Sequence, residues 1–193
     1  MVSVITPTWG RHQLLLERCT PSVMVQGYRD VEHLVISDGP DPELRARTTQ
    51  FPFRFEELPE HDDEQRTWGV LARRRGLELA QGELIAYLDD DNRWRHHHLE
   101  LLVAALQESG ADFAYSRFQV RHPSDHPSHV LGHEPPRLGQ IDWSVIVHRR
   151  QLLELGQPEL AGYACDWDLV DRWLEAEASY VFVPEVTCDY WLS

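Results

Sequence analysis

Three adjacent carboxylates, Asp89, Asp90 and Asp91, follow directly on the apolar run 83–88 (ELIAYL). Crowded at the end of a buried strand, they repel one another unless a cation or hydrogen-bond donors compensate. Their hard oxygens suit Mg²⁺ or Mn²⁺, which takes one or two carboxylates and completes its shell with substrate phosphates. The plainer alternative is a solvated acidic turn that caps the next helix. The triplet alone does not separate the two.

Two other apolar runs also end in polar groups. Thr6-Pro7-Thr8 closes the first, and Asp38-Gly39 closes the second. An Asp there could accept a hydrogen bond from the imide N–H of uracil, and Thr hydroxyls could serve ring carbonyls. Turn chemistry explains each segment singly, since Pro and Gly punctuate while Thr and Asp cap. Three such ends on one sheet edge favour a ligand site. Arg73-Arg74-Arg75 precedes the triplet's strand. Neighbouring helical residues do not share a face, so the run cannot all point one way. One arginine facing the edge, Arg73, could neutralise a diphosphate, leaving the others solvated or paired with Glu78.

The elements that must position these groups can be read from periodicity. Strands are expected at 2–6, 31–37, 53–58, 83–88 and 112–120. Helices are expected from Leu14 to a break before Pro21, after an Asp41 cap with Pro42 at the first position, over 65–81 with Gly82 as terminator, and over 98–109 with Gly110 as terminator. This β/α alternation predicts an α/β fold with a mostly parallel sheet covered by helices on both faces. Right-handed crossovers place the strand C-termini on one edge, where ligands of such sheets bind. Beyond residue 120 the pattern changes. A Pro- and His-rich loop is expected over 122–140, a strand over 142–148, short helices over 149–155 and 167–176, and a last strand over 181–183.

The 193 residues suit one domain, 1–193, with a donor-binding half at 1–116 and an acceptor-binding half at 117–193. The net charge of −14 argues against general nucleic-acid or anionic-membrane binding. All 18 basic residues other than histidine are arginine, so any phosphate contact uses guanidinium. Cys19, Cys165 and Cys188 match no zinc spacing and read as free thiols. No signal peptide or membrane span is evident, and a cytoplasmic location is expected. The sequence leaves a homodimer open.

VSVITPTWGR, VISDGPD and LARRRGLELAQGELIAYLDDDN, in this order and spacing, resemble the family 2 inverting glycosyltransferases of GT-A fold. GYACDWDLVDRW resembles that family's Glu-Asp-Trp segment, and SVIVHRRQLLELG the strand and helix before it. The likeness runs from Val2 to about Trp191. It implies transfer of a sugar from a nucleotide-sugar, with UDP favoured and TDP open, to a hydroxyl acceptor with the aid of Mn²⁺ or Mg²⁺. It implies that Thr6, Pro7, Thr8 and Asp38 hold the base, that Arg11 and Arg73 join the donor site, and that Asp89 and Asp90 contact ribose and metal. Asp91 would be the principal metal ligand, and Asp166 the base that deprotonates the acceptor. A helix N-cap is the competing role for Asp166. Asp168 reads as a first-turn residue.

Four departures bear on this. Ser37 replaces one Asp of the family's Asp-Asp-Gly, Arg74 replaces an Asn, and Cys165 replaces the Glu before the base. Where relatives carry a metal-binding His, either the metal site is more open here, or Tyr190, Trp191 or a further segment closes it. An inactive nucleotide-sugar-binding module is the rival from another class. A nucleotidyltransferase would want a glycine-rich basic loop after the first strand, and a dinucleotide oxidoreductase G-x-G-x-x-G. His96-His97-His98 reads as a helix start. His122, His126, His129 and His133 form no regular zinc pattern, and their loop is expected to shape the acceptor pocket or a lid. His148 could reach the sugar or simply pack.

Overall fold

The computed structural model describes residues 1–61, 69–122, 127–159 and 164–192. Strand β1 (Val2–Thr8) is buried along its whole length. It runs parallel to β2 (Val31–Ser37) on one side and β4 (Leu84–Tyr87) on the other. Strand β3 (Arg54–Glu57) extends the parallel block beyond β2. A central strand covered on both faces needs apolar residues in succession, which is why Val2, Val4, Ile5, Val35, Ile36, Ile85 and Ala86 are all inaccessible.

Between β1 and β2 the chain winds through α1 (His12–Leu14), a π turn (Leu15–Cys19) and α2 (Thr20–Met24). The expected break before Pro21 does not occur. In an α-helix the proline ring would strike the carbonyl of Glu17, and Glu17 lies within the widened π turn. Helix α3 (Pro42–Arg47) starts as read, with the Asp41 side chain accepting the Leu44 N–H at 2.9 Å.

Helix α4 (Val70–Leu79) precedes β4, and the 65–68 part of the expected helix, including Trp68, lies outside the described residues. It ends at Ala80, which is extended, so Gly82 is not its terminator. A Cβ at Gly82 would lie 2.7 Å from the Met1 carbonyl and the Ser3 nitrogen, so this glycine serves close packing instead. Gly76 does the same for α4, since a Cβ there would meet Ile5 at 2.5 Å.

The triplet is followed by β5 (Arg93–Trp94) and α5 (His98–Ser109), which stops at the left-handed Gly110. Then come β6 (Phe113–Arg121), β7 (His129–Leu131), a 3-10 turn (Trp143–Val145), β8 (Ile146–Arg149), a 3-10 helix (Arg150–Glu154), α6 (Cys165–Glu175) and β9 (Tyr180–Trp191). The sheet order is β3-β2-β1-β4-β8-β6-β9-β5, with β7 on β6. The fifth expected strand, now β6, therefore does not join β4. Antiparallel β8 stands between them, paired to both.

Two further expectations change. Residues 143–145 form a 3-10 turn rather than strand, because the Asp142 side chain takes the Ser144 N–H at 2.8 Å. The last strand is far longer than 181–183. Pro184 and Glu185 hide it in the sequence, and a bulge absorbs them: Ser116 pairs with Val183 and Arg117 with Val186.

Candidate functional site

The C-terminal ends of β1, β2 and β4 meet at one edge, as parallel pairing requires. The Asp38 N–H donates to the Thr8 carbonyl at 2.9 Å, and the Leu88 N–H to the Ile5 carbonyl at 3.1 Å. A cavity of about 450 Å³ opens there, lined by Pro7, Thr8, Asp38, Arg73 and the whole triplet, with Trp9 and Trp191 among its walls.

The three carboxylates diverge. Asp90 points inward, where the Thr8 hydroxyl donates to it at 2.7 Å and Arg11 lies 3.4 Å away. Burial pushes Asp90 up to about 7, against the pull of Thr8 and Arg11. Asp91 pairs with Arg11, and its main-chain carbonyl accepts from the Arg18 guanidinium at 2.8 Å. Burial and the charge of Asp89 still raise its carboxyl above the ordinary range. Arg11 loses solvation, but Asp90 and Asp91 outweigh that and hold its proton more firmly than usual. Asp89 turns the other way and pairs with Arg73.

Arg73 is the member of its run that faces the edge. It is 2% exposed, and its guanidinium lies 4.7 Å from the centre of the Trp143 ring. Arg74 instead donates to the Pro158 carbonyl at 2.6 Å, and Arg75 pairs with Glu78 at 2.8 Å and Glu56 at 3.0 Å. Asn92 ties the turn down. Its amide donates to the Ser144 hydroxyl at 3.0 Å and accepts the Trp191 N–H at 3.0 Å.

Arg73 and Asp89 form a wall shared with a second cavity of about 350 Å³, which also contains Asp142, Cys165, Asp166 and Tyr190. Asp166 lies in the first turn of α6, whose N-cap is Ala164, so it is not the cap. Its carboxylate accepts the Trp167 N–H at 2.7 Å. Burial pushes it up to about 6, against that hydrogen bond and Arg73. Burial, then Asp89 and Asp166, push Asp142 well above the ordinary range.

Thr6 is not brought to the cavity. It is fully buried one pleat step behind Thr8, with its hydroxyl 2.9 Å from His33 Nε2 and 3.8 Å from the Cys19 sulfur. His148 packs rather than reaching a ligand, with Nε2 3.0 Å from the Tyr87 hydroxyl and no exposure. His98 opens α5, stacked 4.2 Å from Trp94. His122 and His129 approach to 3.4 Å, while His126 lies outside the described residues. The three cysteines are buried free thiols.

Sequence reasoning missed Trp9 and His61. Their rings stack nearly parallel with centres 4.1 Å apart, and His61 Nδ1 donates to the Asp38 carbonyl at 2.7 Å. An exposed tryptophan directly after a polar strand end was the available signal.

A parallel block that delivers an acidic triplet, an Asp and a buried Arg to one edge is the layout of a GT-A glycosyltransferase. Residues 3–163 match the family described as glycosyl transferase family 2, and the chain belongs to that family. It is similar to the putative teichuronic acid biosynthesis glycosyltransferase TuaG of Bacillus subtilis (strain 168), at 24% identity over 83% of this chain and 67% of the relative. Its fold is similar to that of S. aureus TarS 1-349 in complex with UDP, with a TM-score of 0.77, 16% identity, and coverage of 100% of this chain and 60% of that one. It also resembles the mannosyltransferase PcManGT of Pyrobaculum calidifontis in complex with GDP-Man and Mn²⁺, with a TM-score of 0.71, 17% identity, and coverage of 97% and 56%. The chain thus spans about two thirds of TuaG and less of the two solved structures. No described helix is long and apolar enough to cross a membrane.

Proposed function

We propose that this chain transfers a sugar from a UDP-sugar to a hydroxyl acceptor with inversion, residues 1–116 holding the donor and 117–193 the acceptor. One observation carries the reading: two cavities share the Arg73–Asp89 wall, one with the triplet and the other with Asp166. A nucleotide in the first would direct its sugar toward the second. TarS, similar in fold, is complexed with UDP, which agrees with a pyrimidine imide at Asp38. Trp9 offers the ring a stacking face.

The donor set suits a hard divalent cation. Among the described residues no three His, Cys, Asp or Glu side chains form a self-sufficient metal cluster, so the ion would depend on substrate oxygens, as Mg²⁺ and Mn²⁺ commonly do. Burial first, and then the charge of Asp89, raise the Asp91 carboxyl, while Arg11 pulls it down. Asp91 would hold Mn²⁺ or Mg²⁺, and the ion would supply charge stabilisation to the leaving diphosphate. Arg73 adds a fixed guanidinium on the same side. Asp166, deprotonated above about pH 6, accepts the proton of the attacking hydroxyl.

The test is a thermal-shift screen of UDP-, GDP- and TDP-sugars with and without Mn²⁺, since a ligand of the folded state raises the melting point. Stabilisation by UDP-sugars is expected. No shift with any nucleotide would defeat the reading. Turnover with and without candidate acceptors, in wild type and Asp166→Asn, then distinguishes a transferase from a binding module.

A further inference from the structure

Beside the first cavity, but outside its lining, three arginines converge on one carboxylate. Asp189 sits on β9 between β6 and β5, and it is 3% exposed at the side chain. Arg93 of β5 reaches it at 2.8 Å, Arg121 of β6 at 2.9 Å, and Arg95 at 3.3 Å. None of the three pairs with a second carboxylate among the described residues. One negative charge therefore faces three positive ones, in a chain whose net charge is −14. The arginines are not sealed in: their side chains are 51%, 38% and 35% exposed for Arg93, Arg121 and Arg95. Each guanidinium carries five N–H donors, and Asp189 cannot use them all.

The cluster adjoins the first cavity. Trp191 shares a face of β9 with Asp189, and Arg18 and Arg93 lie 4.0 and 5.5 Å from its ring centre. Asp189 neutralises part of the mutual repulsion and fixes the spacing of the guanidiniums. The exposed parts of the three guanidiniums suit an anion with several acceptor oxygens on the solvent side. Planar guanidiniums suit phosphate oxygens, often in paired hydrogen bonds.

We propose that Arg93, Arg95 and Arg121, organised by Asp189, form a second anion site for a phosphate or diphosphate group, separate from the donor cavity. A soluble phosphorylated molecule and a phospholipid headgroup present the same chemistry. The site does not depend on the donor reading, because none of its residues binds the nucleotide there.

The test compares wild type with Arg95→Gln/Arg121→Gln, in which Arg93 still neutralises Asp189. Inorganic pyrophosphate is titrated by calorimetry without metal, alone and with excess UDP. Wild type should retain a binding event when UDP is present, weakened at least ~10-fold in the double variant and by added salt. Co-sedimentation with phosphatidylglycerol vesicles, against phosphatidylcholine, identifies the source. Pelleting that the double variant loses assigns a lipid headgroup, and pyrophosphate binding without pelleting assigns a soluble phosphate. If the double variant does not fold, Arg95→Gln alone gives the same readout with Asp189 still paired twice. Absence of both kinds of binding, or binding equal in wild type and variant, overturns the proposal. A cluster-dependent event in a protein that ignores UDP even when Mn²⁺ is added would sink the donor reading while leaving this one standing.

Discussion

Asp166→Asn should stop transfer and at the same time stabilise the free protein. Burial raises the Asp166 carboxyl from 3.8 to about 6. A carboxyl raised on folding binds its proton more tightly in the folded state. Stability is therefore greatest at acid pH and falls as pH rises from about 4 through about 6. At neutral pH the ionised group is a net cost. A rise of that size corresponds to about 3 kcal/mol at most. Asp166 is only partly covered, and solvent screening lowers the expected gain to about 1–2 kcal/mol. Asparagine keeps an oxygen for the Trp167 N–H, so that hydrogen bond survives. The melting temperature at neutral pH should rise by about 3–6 °C, and the gain should fade below about pH 5. Transfer should fall by about 10²–10⁴-fold with UDP affinity unchanged, and wild-type activity should climb with pH through about 6. Parallel melts across pH, with transfer assays, check both halves. Equal melting at every pH, or undiminished transfer, would refute the reasoning.

Three other substitutions probe the supports. Trp9→Ala should weaken UDP roughly 10-fold by calorimetry, from the loss of stacking, with little change in melting because Trp9 is 42% exposed. Thr8→Val removes the hydroxyl that donates to buried Asp90; a loss of about 1–3 kcal/mol in denaturant unfolding at neutral pH is expected, shrinking in acid as Asp90 protonates. Gly76→Ala improves helix propensity but drives a methyl into Ile5, so chemical unfolding should show a net loss of about 1–3 kcal/mol.

The sheet edge that carries the candidate site was legible because it is made of consecutive short-range signals. Apolar β-branched runs end in Thr8, Asp38 and Asp89, and parallel pairing carries those ends to one place. The direction of each side chain was not legible. Thr6 and Thr8 share a face of β1, yet only long-range neighbours decide that Thr6 meets His33 and Thr8 meets Asp90. The far side of the sheet was harder still. Antiparallel β8 inserts between β4 and β6, a pairing over some sixty residues that no local period encodes. The bulge at Pro184 broke the alternation that would have revealed β9 and, with it, the Asp189 arginine cluster. Asp142 joins Asp166 in one cavity from a different element, and nothing in their spacing announced it.

The central claim is a UDP-sugar site whose cation is held at Asp91. Calorimetric titration of UDP, with and without Mn²⁺, into wild type and Asp91→Ala tests it most directly. Markedly tighter binding with Mn²⁺ in wild type, and no such gain in the variant, is the predicted result. UDP binding that ignores the metal and is the same in Asp91→Ala would contradict it, and would leave Arg11 as the residue that balances the triplet.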